Sequence, residues 1–313
     1  MVDNEKINLR VSELINKYSN PSNSVEQLLC DQYPSNKLAY KIINENMEEH
    51  DLTYGELKTQ STLIANGLTK RGIGKGDRIA TLMGKSKEYL ITLLAIWRIG
   101  AVHVPLFTAF STPAIALRVN GSNAKIVFCD QKQQSKLKPS DNFVPHSKLD
   151  VFTTASFDQT PNWAERWEDL LATDGPIREK VNLDPDAAII HIFTSGTTGE
   201  PKGVSLPVKA LACIEAYAEF AYDLRQTDIF WNAADPGWAY GLYCGILATL
   251  TTGTPAILFE GGFSARATID IIEKHRVTNF AAAPTVYRSL RADGVELSAG
   301  HNLRCLSSAG EPL

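Results

Sequence analysis

Short apolar runs alternate with helical patterns along most of the chain, and this alternation constrains the fold more than any other feature. Apolar runs rich in Ile, Leu and Val at 77–83 and 101–106 flank a strongly apolar helical segment at 87–99. Such spacing predicts βαβ units, in which crossover helices cover both faces of a mostly parallel sheet. Strands covered in this way are continuously apolar. The sequence therefore predicts an α/β fold.

The alternation falls into two blocks, which predicts two lobes of sheet flanked by helices. We expect residues 1–50 to form a polar leader packed on the surface, with one helix around 12–17. Residues 51–185 are predicted to form a first α/β subdomain, and residues 186–313 a second one. The predicted strands are 77–83, 101–106, 124–129, 188–193, 228–232, 255–259, 279–282 and 303–307, and the predicted helices are 53–71, 87–99, 112–119, 207–222, 240–250, 265–274 and 285–291.

The first predicted subdomain contains a long polar connection at 131–157 that is rich in Lys, Ser and Pro. Its lysines offer positive charge to a phosphate-bearing ligand. Charge runs usually face water, however, so the pattern favours a solvated loop. The lysines concerned are Lys132, Lys136, Lys138 and Lys148.

Charge balance and cysteine spacing exclude several classes of protein. Of 313 residues, 31 are Lys or Arg and 35 are Asp or Glu, so the net charge is −4 and no basic excess indicates nucleic-acid binding. The five cysteines form no CxxC pair, which argues against a zinc ribbon. No apolar secretory signal is visible, and the most apolar segment, 89–97, is too short to cross a bilayer. We therefore expect a cytoplasmic protein that binds neither nucleic acid nor membrane.

An apolar strand at 190–193 runs into a loop rich in hydroxyl groups and glycine. Glycines let a backbone approach a ligand closely, and successive N–H groups form an anion-binding concavity. A lysine adds a mobile positive charge, so the combination predicts a polyphosphate-binding loop. The spacing excludes a Walker A loop, which needs Ser or Thr after its lysine. The residues are Thr194, Ser195, Gly196, Thr197, Thr198, Gly199, Lys202 and Gly203.

Three segments carry a resemblance to a known family. TSGTTGEPKG at 194–203 resembles the signature loop of the adenylate-forming, AMP-binding superfamily. ADPGWAYG at 234–241 is similar to a segment of acetyl-CoA and medium-chain acyl-CoA synthetases. AAPTVY at 282–287, followed by SAGEP at 308–312, resembles the same branch. The resemblance runs from about Thr53 to Leu313, with the elements in family order.

The resemblance implies the N-terminal large domain of an ATP-dependent acyl-CoA synthetase. In this family a carboxylate attacks the α-phosphorus of ATP, and CoA then attacks the resulting acyl-adenylate while AMP leaves. The implied substrate is acetate or a short- or medium-chain fatty acid, and the implied cofactors are ATP, Mg²⁺ and CoA. The glutamate that binds Mg²⁺ and the C-terminal lysine are expected beyond Leu313. We therefore expect an incomplete chain, ending before the third subdomain and the C-terminal domain and inactive by itself.

The resemblance also implies roles for individual residues. The phosphate loop is expected to bind the β- and γ-phosphates, with Lys202 and Thr198 as catalytic residues. Trp238 is expected to form the wall of the acyl pocket. The adenine pocket is assigned to Gly310, Glu311 and Pro312, the rest of the acyl pocket to Ala239, Tyr240 and Ala309, and the pantetheine tunnel to Ala283, Pro284 and Thr285.

Other interpretations stay open beside this one. An aryl-CoA ligase or an amino-acid-activating domain shares the loop, although the Asp235–Trp238 segment counts against both. A truncated, non-catalytic nucleotide-binding protein and a scaffold without a ligand are the remaining alternatives. We interpret His103 and His191 as core histidines with satisfied ring nitrogens, and Asp235 as a structural turn residue.

Overall fold

The computed structural model describes residues 4–171, 180–194 and 201–312. These residues form one sheet of seven strands and one of six, with helices packed against them, which confirms the predicted two-lobed α/β architecture. The helices are α1 (Asn4–Tyr18), α2 (Tyr54–Lys70), α3 (Lys87–Arg98), α4 (Thr112–Ser122), α5 (Leu211–Phe220), α6 (Ala248–Thr252), α7 (Ala265–Lys274) and α8 (Pro284–Ala292).

The strands alternate with these helices as the apolar runs predict. Those before the phosphate loop are β1 (Leu38–Ile43), β2 (Glu49–Thr53), β3 (Arg78–Leu82), β4 (Val102–Pro105), β5 (Ile126–Cys129), β6 (Asp150–Thr153), β7 (Glu165–Arg166) and β8 (Ala188–Thr194). Those after it are β9 (Lys202–Pro207), β10 (Phe230–Asn232), β11 (Ala256–Phe259), β12 (Asn279–Ala282) and β13 (Cys305–Ser308).

Parallel pairing dominates both sheets. The seven-stranded sheet has the order β7-β6-β5-β3-β4-β8-β9, and only β9 runs antiparallel to its neighbour. The six-stranded sheet has the order β13-β12-β10-β11-β1-β2, and only β2 is antiparallel. Strands β3, β4 and β5 are buried at nearly every position, as expected for strands covered on both faces.

The N-terminal segment is not the surface leader that its polar composition suggests. Its strand β1 lies inside the six-stranded sheet and pairs with β11 and β2. Tyr18, Leu29 and Ile43 are almost completely buried. A few large apolar side chains are enough to anchor a short strand. The average composition of the segment does not reveal them, because Asn and Ser residues surround them.

The sheets also cross the predicted segment boundaries. Strands β8 and β9, placed by sequence in the second subdomain, complete the seven-stranded sheet. Strands β1 and β2 join the six-stranded sheet, which is otherwise formed by residues after position 229. Pairing between strands that are distant in sequence produces no local sequence pattern. The predicted subdomain boundaries therefore could not include it.

The predicted long polar connection contains regular structure. Gln131–Leu137 forms a 3₁₀ helix, and β6 is inserted in the seven-stranded sheet beside β5. Lys132 pairs with Glu45 and Lys148 with Asp150, while Lys136 donates to the carbonyl of Thr108. A four-residue strand within a polar segment is too short to stand out from a loop.

Helix starts follow the side-chain chemistry of their first residues. Thr53 and Glu56 form a capping box at α2, with the Thr53 Oγ1 accepting from Glu56 N at 3.2 Å. Ser86 caps α3 by accepting from Tyr89 N at 3.1 Å. Ser264 caps α7 by accepting from Ala267 N at 3.4 Å, which confirms the N-cap predicted there. Among the helices that the structure describes, none combines the length and apolarity needed to cross a bilayer.

A buried carboxylate fastens α1 to α5. The Glu215 side chain is only 5% exposed and accepts from Lys17 Nζ at 2.8 Å, Arg10 Nη2 at 3.2 Å and the Tyr18 hydroxyl. Hydrogen bonds to charged groups contribute about 1.5–3 kcal/mol each when an acceptor is removed. This carboxylate therefore holds the N-terminal helix in place.

Replacing Glu215 with Gln is expected to lower the free energy of unfolding by about 2 kcal/mol, because the amide cannot neutralise two cations. Urea unfolding followed by circular dichroism measures this change. The matched control is Glu13→Gln, which removes a carboxylate that is 67% exposed and pairs with the same Arg10. We expect a cost below about 0.5 kcal/mol there. Equal costs for the two variants would contradict the anchoring role.

Candidate active site

The carboxyl ends of parallel strands from both sheets face one cavity of about 780 Å³. Gly84, Thr108 and Asp130 follow strands of the seven-stranded sheet and line it from one side. Ala233 and Glu260 follow strands of the six-stranded sheet and line it from the other. We call this cavity the inter-sheet cleft. Ligands of open α/β sheets bind at such ends, where chain connections leave a crevice.

Several side chains of the inter-sheet cleft have shifted pKa values, among them Asp130 and Lys85. Asp130 accepts from Gly84 N at 2.8 Å and from Gln133 N at 3.0 Å, and burial raises the pKa of its carboxyl. Lys85 donates to the carbonyl of Ala233 at 3.4 Å, and burial lowers the pKa of its amine. None of the site residues predicted from sequence lines this part of the described structure. The missed signal was a polar residue directly after three of the strands: Asn44 after β1, Asp130 after β5 and Glu260 after β11.

The predicted phosphate loop connects the two strands of a β-hairpin. Thr194 ends β8, Lys202 begins β9, and the two are register partners in the antiparallel ladder. Both residues are exposed, at the end of β8 that parallel pairing with β4 defines as a carboxyl edge. Strand β9 itself was not predicted. The remaining loop residues of the prediction, Ser195, Gly196, Thr197, Thr198 and Gly199, lie outside the described residues.

The ring of His191 lies against Gly203. A Cβ atom on Gly203 would stand 2.1 Å from His191 Nε2, closer than any real contact. Gly203 therefore has a packing neighbour in addition to its predicted place in the phosphate loop. The interpretation of His191 as a core histidine with satisfied ring nitrogens was wrong. Its ring is partly exposed, and its buried Nε2 has no partner among the described residues. Burial, with a smaller effect of Arg78, lowers the pKa of His191.

Substituting Gly203 with Ala is expected to destabilise the hairpin by about 1 kcal/mol, since the new methyl group forces the partly exposed His191 ring out of its preferred rotamer. Thermal unfolding of the variant measures the cost. In the double variant His191→Ala/Gly203→Ala the overlap is gone, so the penalty of the Gly203 change should largely vanish. A penalty that persists without the ring would show that another contact demands the glycine.

His103 lies in the core, as interpreted from sequence. Its side chain is fully buried, and Nε2 shares a hydrogen bond of 2.8 Å with Thr81 Oγ1. Its Nδ1 has no partner among the described residues. Burial lowers the pKa of His103 to about 3, so the ring is neutral at physiological pH.

Asp235 holds the turn that carries the tryptophan motif. Its Oδ1 accepts from Gly237 N at 2.7 Å, and its Oδ2 accepts from Thr108 Oγ1 at 3.1 Å. Its carbonyl accepts from Trp238 N at 3.2 Å. These bonds confirm the interpretation of Asp235 as a structural turn residue. They also tie the turn to the loop after β4, and so join the two sheets.

Both glycines of the motif are required by close packing. A Cβ on Gly237 would stand 2.5 Å from the Cα of Phe107, and one on Gly241 would stand 2.1 Å from the Asp235 carbonyl oxygen. Neither position admits a side chain without backbone movement. Both glycines are thus needed because the turn packs closely against Phe107 and against the following helical segment.

Trp238 forms one wall of an aromatic group with Phe107 and Phe110. Its ring centroid lies 5.2 Å from that of Phe107 and 5.4 Å from that of Phe110. The indole is still 43% exposed, so one face is open to a ligand. Sequence reasoning missed both phenylalanines, although they follow directly after β4, where parallel strands present binding residues.

Tyr240 begins the helical segment Tyr240–Leu247, which is π-helical and continues into α6. The preceding Ala239 packs, partly buried, against the core. The Tyr240 hydroxyl is buried and lies near the hydroxyl groups of Tyr222 and Ser307. Burial raises the pKa of this hydroxyl, which therefore stays protonated.

The remaining predicted residues gather at the ends of two neighbouring strands. Ala283 precedes α8, Pro284 occupies its first turn, and Thr285 is exposed there. Since β12 pairs with β13 through Ala282 and Ser308, the segment 309–312 begins beside them.

The segment after β13 is held by one arginine of α8. Arg288 donates to Glu311 Oε1 at 2.8 Å and to the carbonyl of Pro312 at 2.9 Å. Gly310 has a φ of +107°, a conformation that favours glycine. The Gly-Glu-Pro segment therefore has a defined conformation outside the strand.

Within the described ranges, no group of three His, Cys, Asp or Glu side chains is placed to bind a metal ion. A Mg²⁺ ion bound with ATP is usually held by one or two carboxylates and the substrate phosphates, and it needs no such group.

Three comparisons with known proteins agree on the family to which the chain is similar. The family model described as AMP-binding enzyme matches residues 28–313. Acetyl-coenzyme A synthetase of Pseudoalteromonas translucida is 32% identical over 297 residues, covering 86% of this chain and 45% of that protein. Acetyl-coenzyme A synthetase of Chlorobaculum tepidum is 34% identical over 301 residues, covering 89% and 45%. The crystal structure of Brucella canis acyl-CoA synthetase superimposes with a TM-score of 0.86 at 38% identity, covering 96% of this chain and 56% of that one.

The match includes every part of the site described above. Residues 28–313 contain both sheets, the β8–β9 hairpin and the Asp235 turn. The chain spans about 45% of the length of the curated relatives it matches. This chain belongs to the family of AMP-binding enzymes.

Proposed function

We propose that this chain supplies the nucleotide and carboxylate sites of an ATP-dependent acyl-CoA synthetase. The observation that carries the proposal is the Asp235 turn, which presents a half-exposed Trp238 against Phe107 and Phe110. Two further features support it. The Lys202 side chain is exposed at the end of the β8–β9 hairpin, and relatives of the chain are named acetyl-coenzyme A synthetase. In the proposed reaction the carboxylate displaces pyrophosphate from the α-phosphorus of ATP to give an acyl-adenylate, and the CoA thiol then takes the acyl group and releases AMP.

The β8–β9 hairpin is proposed to bind the polyphosphate. Lys202 is exposed, and its ladder position opposite Thr194 fixes its backbone while leaving the ammonium mobile. The positive charge of Lys202 near the β- and γ-phosphates would lower the repulsion between ATP and the incoming carboxylate, because both are anions. Ser195 to Gly199 are proposed to add backbone and hydroxyl donors.

The aromatic group around Trp238 is proposed to bind the acyl chain. A flat indole and two phenyl rings offer apolar surface to a short or medium aliphatic group. Ala239, Tyr240 and Ala309 are proposed to complete this pocket. The adenine ring is assigned to Gly310, Glu311 and Pro312, and the pantetheine arm of CoA to Ala283, Pro284 and Thr285.

The proposal is tested by carboxylate-dependent exchange between ATP and pyrophosphate. Because the chain spans under half of its curated relatives, the assay includes a chimera that joins it to the C-terminal part of the Chlorobaculum tepidum relative. We expect exchange with acetate, butyrate or octanoate. Exchange only with benzoate or an amino acid would instead assign the chain to an aryl-CoA ligase or an amino-acid-activating enzyme. ATP binding without exchange for any acid would favour a non-catalytic nucleotide-binding protein.

A further inference from the structure

Arg118 of α4 is a buried arginine without a counter-ion among the described residues. It is only 9% exposed, and within the described ranges its guanidinium makes one hydrogen bond, from Nη1 to the carbonyl of Ala114 at 2.8 Å. Arg98 is equally buried, but both of its terminal nitrogens donate to the carboxylate of Asp31. A buried charge is costly unless it is paired, so Arg118 is a candidate for binding an anionic ligand.

The charge of Arg118 persists although burial opposes it. Burial lowers the pKa of the guanidinium, and no described carboxylate offsets that shift. A guanidinium nevertheless stays protonated in proteins. Beyond the N–H group that donates to Ala114, the planar fork offers further N–H groups whose geometry matches the oxygens of a phosphate.

The direction of α4 places this guanidinium at the carboxyl edge of the seven-stranded sheet. The helix connects β4 to β5, and both strands run parallel to β3, so α4 runs from the carboxyl edge back to the amino edge. Gly121 packs on the end of β8, since a Cβ there would stand 3.1 Å from the ring of Phe193. Arg118 lies almost one helical turn nearer the carboxyl edge on a neighbouring part of the helix surface. Long side chains of a helix also point toward its N-terminus, which moves the guanidinium further in that direction.

The ring of Phe110 fixes the guanidinium at this edge. The Cζ atom of Arg118 lies 4.0 Å from the centroid of the Phe110 ring, which itself lies 5.4 Å from the ring of Trp238. A guanidinium that stacks on an aromatic face is oriented before a ligand arrives. Arg118 is therefore held between the aromatic group around Trp238 and the end of β8. In the proposed reaction, the phosphates of ATP must extend from the acyl carboxylate through this interval.

Arg118 and Lys202 approach the carboxyl edge from opposite faces of the sheet. Phe193 faces α4, and successive side chains of a strand point to alternate faces, so Thr194 points away from that helix. Lys202 is the register partner of Thr194 and shares its face. Two cations on either side of one edge suit a chain of several phosphates better than a single carboxylate.

We propose that Arg118 binds the polyphosphate of ATP together with Lys202, an assignment that rests on the proposed synthetase function. The guanidinium donates to phosphate oxygens from the α4 face of the sheet, and the Lys202 ammonium approaches from the other face. No bond to Arg118 forms or breaks. Its charge offsets the repulsion between ATP and the incoming carboxylate.

The first test measures binding of ATP and of inorganic tripolyphosphate to this 313-residue chain by isothermal titration calorimetry. Arg118→Met keeps a long apolar side chain on Phe110 and removes the charge, and it should weaken both ligands by at least about tenfold. AMP, which has one phosphate, should lose less. Arg118→Lys should recover part of the affinity, because the charge returns without the planar fork. Unchanged affinity of Arg118→Met for ATP and tripolyphosphate would overturn the proposal.

Arg71→Met is the matched control. Arg71 also stacks on a phenyl ring, with its Cζ 4.8 Å from the centroid of Phe152, but it pairs with Glu165 and lies away from the hairpin. Its removal should leave the affinity for both ligands unchanged. Thermal unfolding and the fluorescence of Trp238 show whether Arg118→Met disturbs the fold. A loss of affinity that comes with altered Trp238 fluorescence and that Arg118→Lys does not recover would make Arg118 a packing residue and overturn the assignment.

The second test uses the chimera that exchanges ATP and pyrophosphate. Arg118→Met should raise the KM for ATP and leave the KM for acetate unchanged. A raised KM for acetate with unchanged affinity for ATP would place the guanidinium on the substrate carboxylate and contradict the proposal. If the wild-type chimera shows no exchange while ATP binding to the chain still depends on Arg118, the synthetase function fails and the assignment of Arg118 stands.

Discussion

Replacing Lys202 with Ala is expected to lower the affinity of the chain for ATP at least tenfold. The side chain is exposed at the start of β9, opposite Thr194, and no carboxylate within the described residues forms an ion pair with it. A charge-assisted hydrogen bond to phosphate contributes about 1.5–3 kcal/mol, which corresponds to about 10- to 150-fold in affinity. Isothermal titration calorimetry with ATP measures the loss.

The matched control is Lys209→Ala, which removes an exposed lysine beyond the far end of β9. Lys209 pairs with Asp186 and lies away from the hairpin loop. Its removal should leave ATP affinity unchanged. Equal affinity of Lys202→Ala and the wild-type chain would remove the phosphate-binding role of Lys202 and reopen the interpretation of the chain as a scaffold.

Replacing Gly241 with Ala is expected to cost about 1–3 kcal/mol of stability and to displace the Asp235 turn. A Cβ at this position would stand 2.1 Å from the Asp235 carbonyl oxygen, and backbone atoms cannot rotate away as a side chain can. Since the same carbonyl accepts from Trp238 N, the indole must move with the turn. Thermal unfolding and the fluorescence of Trp238 measure the two effects.

Gly245→Ala provides the comparison in the same helical segment. A Cβ there would meet the Asn232 side chain at 3.2 Å, a contact that a small shift relieves. We expect a smaller loss of stability and unchanged Trp238 fluorescence. If Gly241→Ala proved as mild as Gly245→Ala, the tight packing of the turn would not be what positions the tryptophan.

The α/β fold was predictable because its strongest signals are local. The helix at α3 has twelve residues with almost every side chain buried, and the strands that flank it are continuously apolar. Strand β1 was missed because its anchoring depends on β11, more than two hundred residues later. Register between distant strands is a property of the assembled sheet, and the sequence shows only the segments that take part.

The sequence proposes site residues where chemically active side chains are consecutive. The hydroxyl- and glycine-rich loop and the Asp235–Trp238 turn are of this kind. Phe107 and Phe110 were missed because each contributes a single side chain that contacts Trp238 from a remote part of the sequence. The packing contact between Gly203 and His191 was missed for the same reason, because the sequence does not show which strands face each other.

The transfer of carboxylate oxygen to AMP is the most direct test of the proposed chemistry. Acetate labelled with ¹⁸O at both oxygens is turned over by the chimera with ATP and CoA, and the product AMP is analysed by mass spectrometry. Attack of the carboxylate on the α-phosphorus, followed by cleavage of the acyl carbon–oxygen bond, predicts one ¹⁸O atom in each AMP. AMP formed at the same rate without the label would contradict an acyl-adenylate intermediate and, with it, the proposed function.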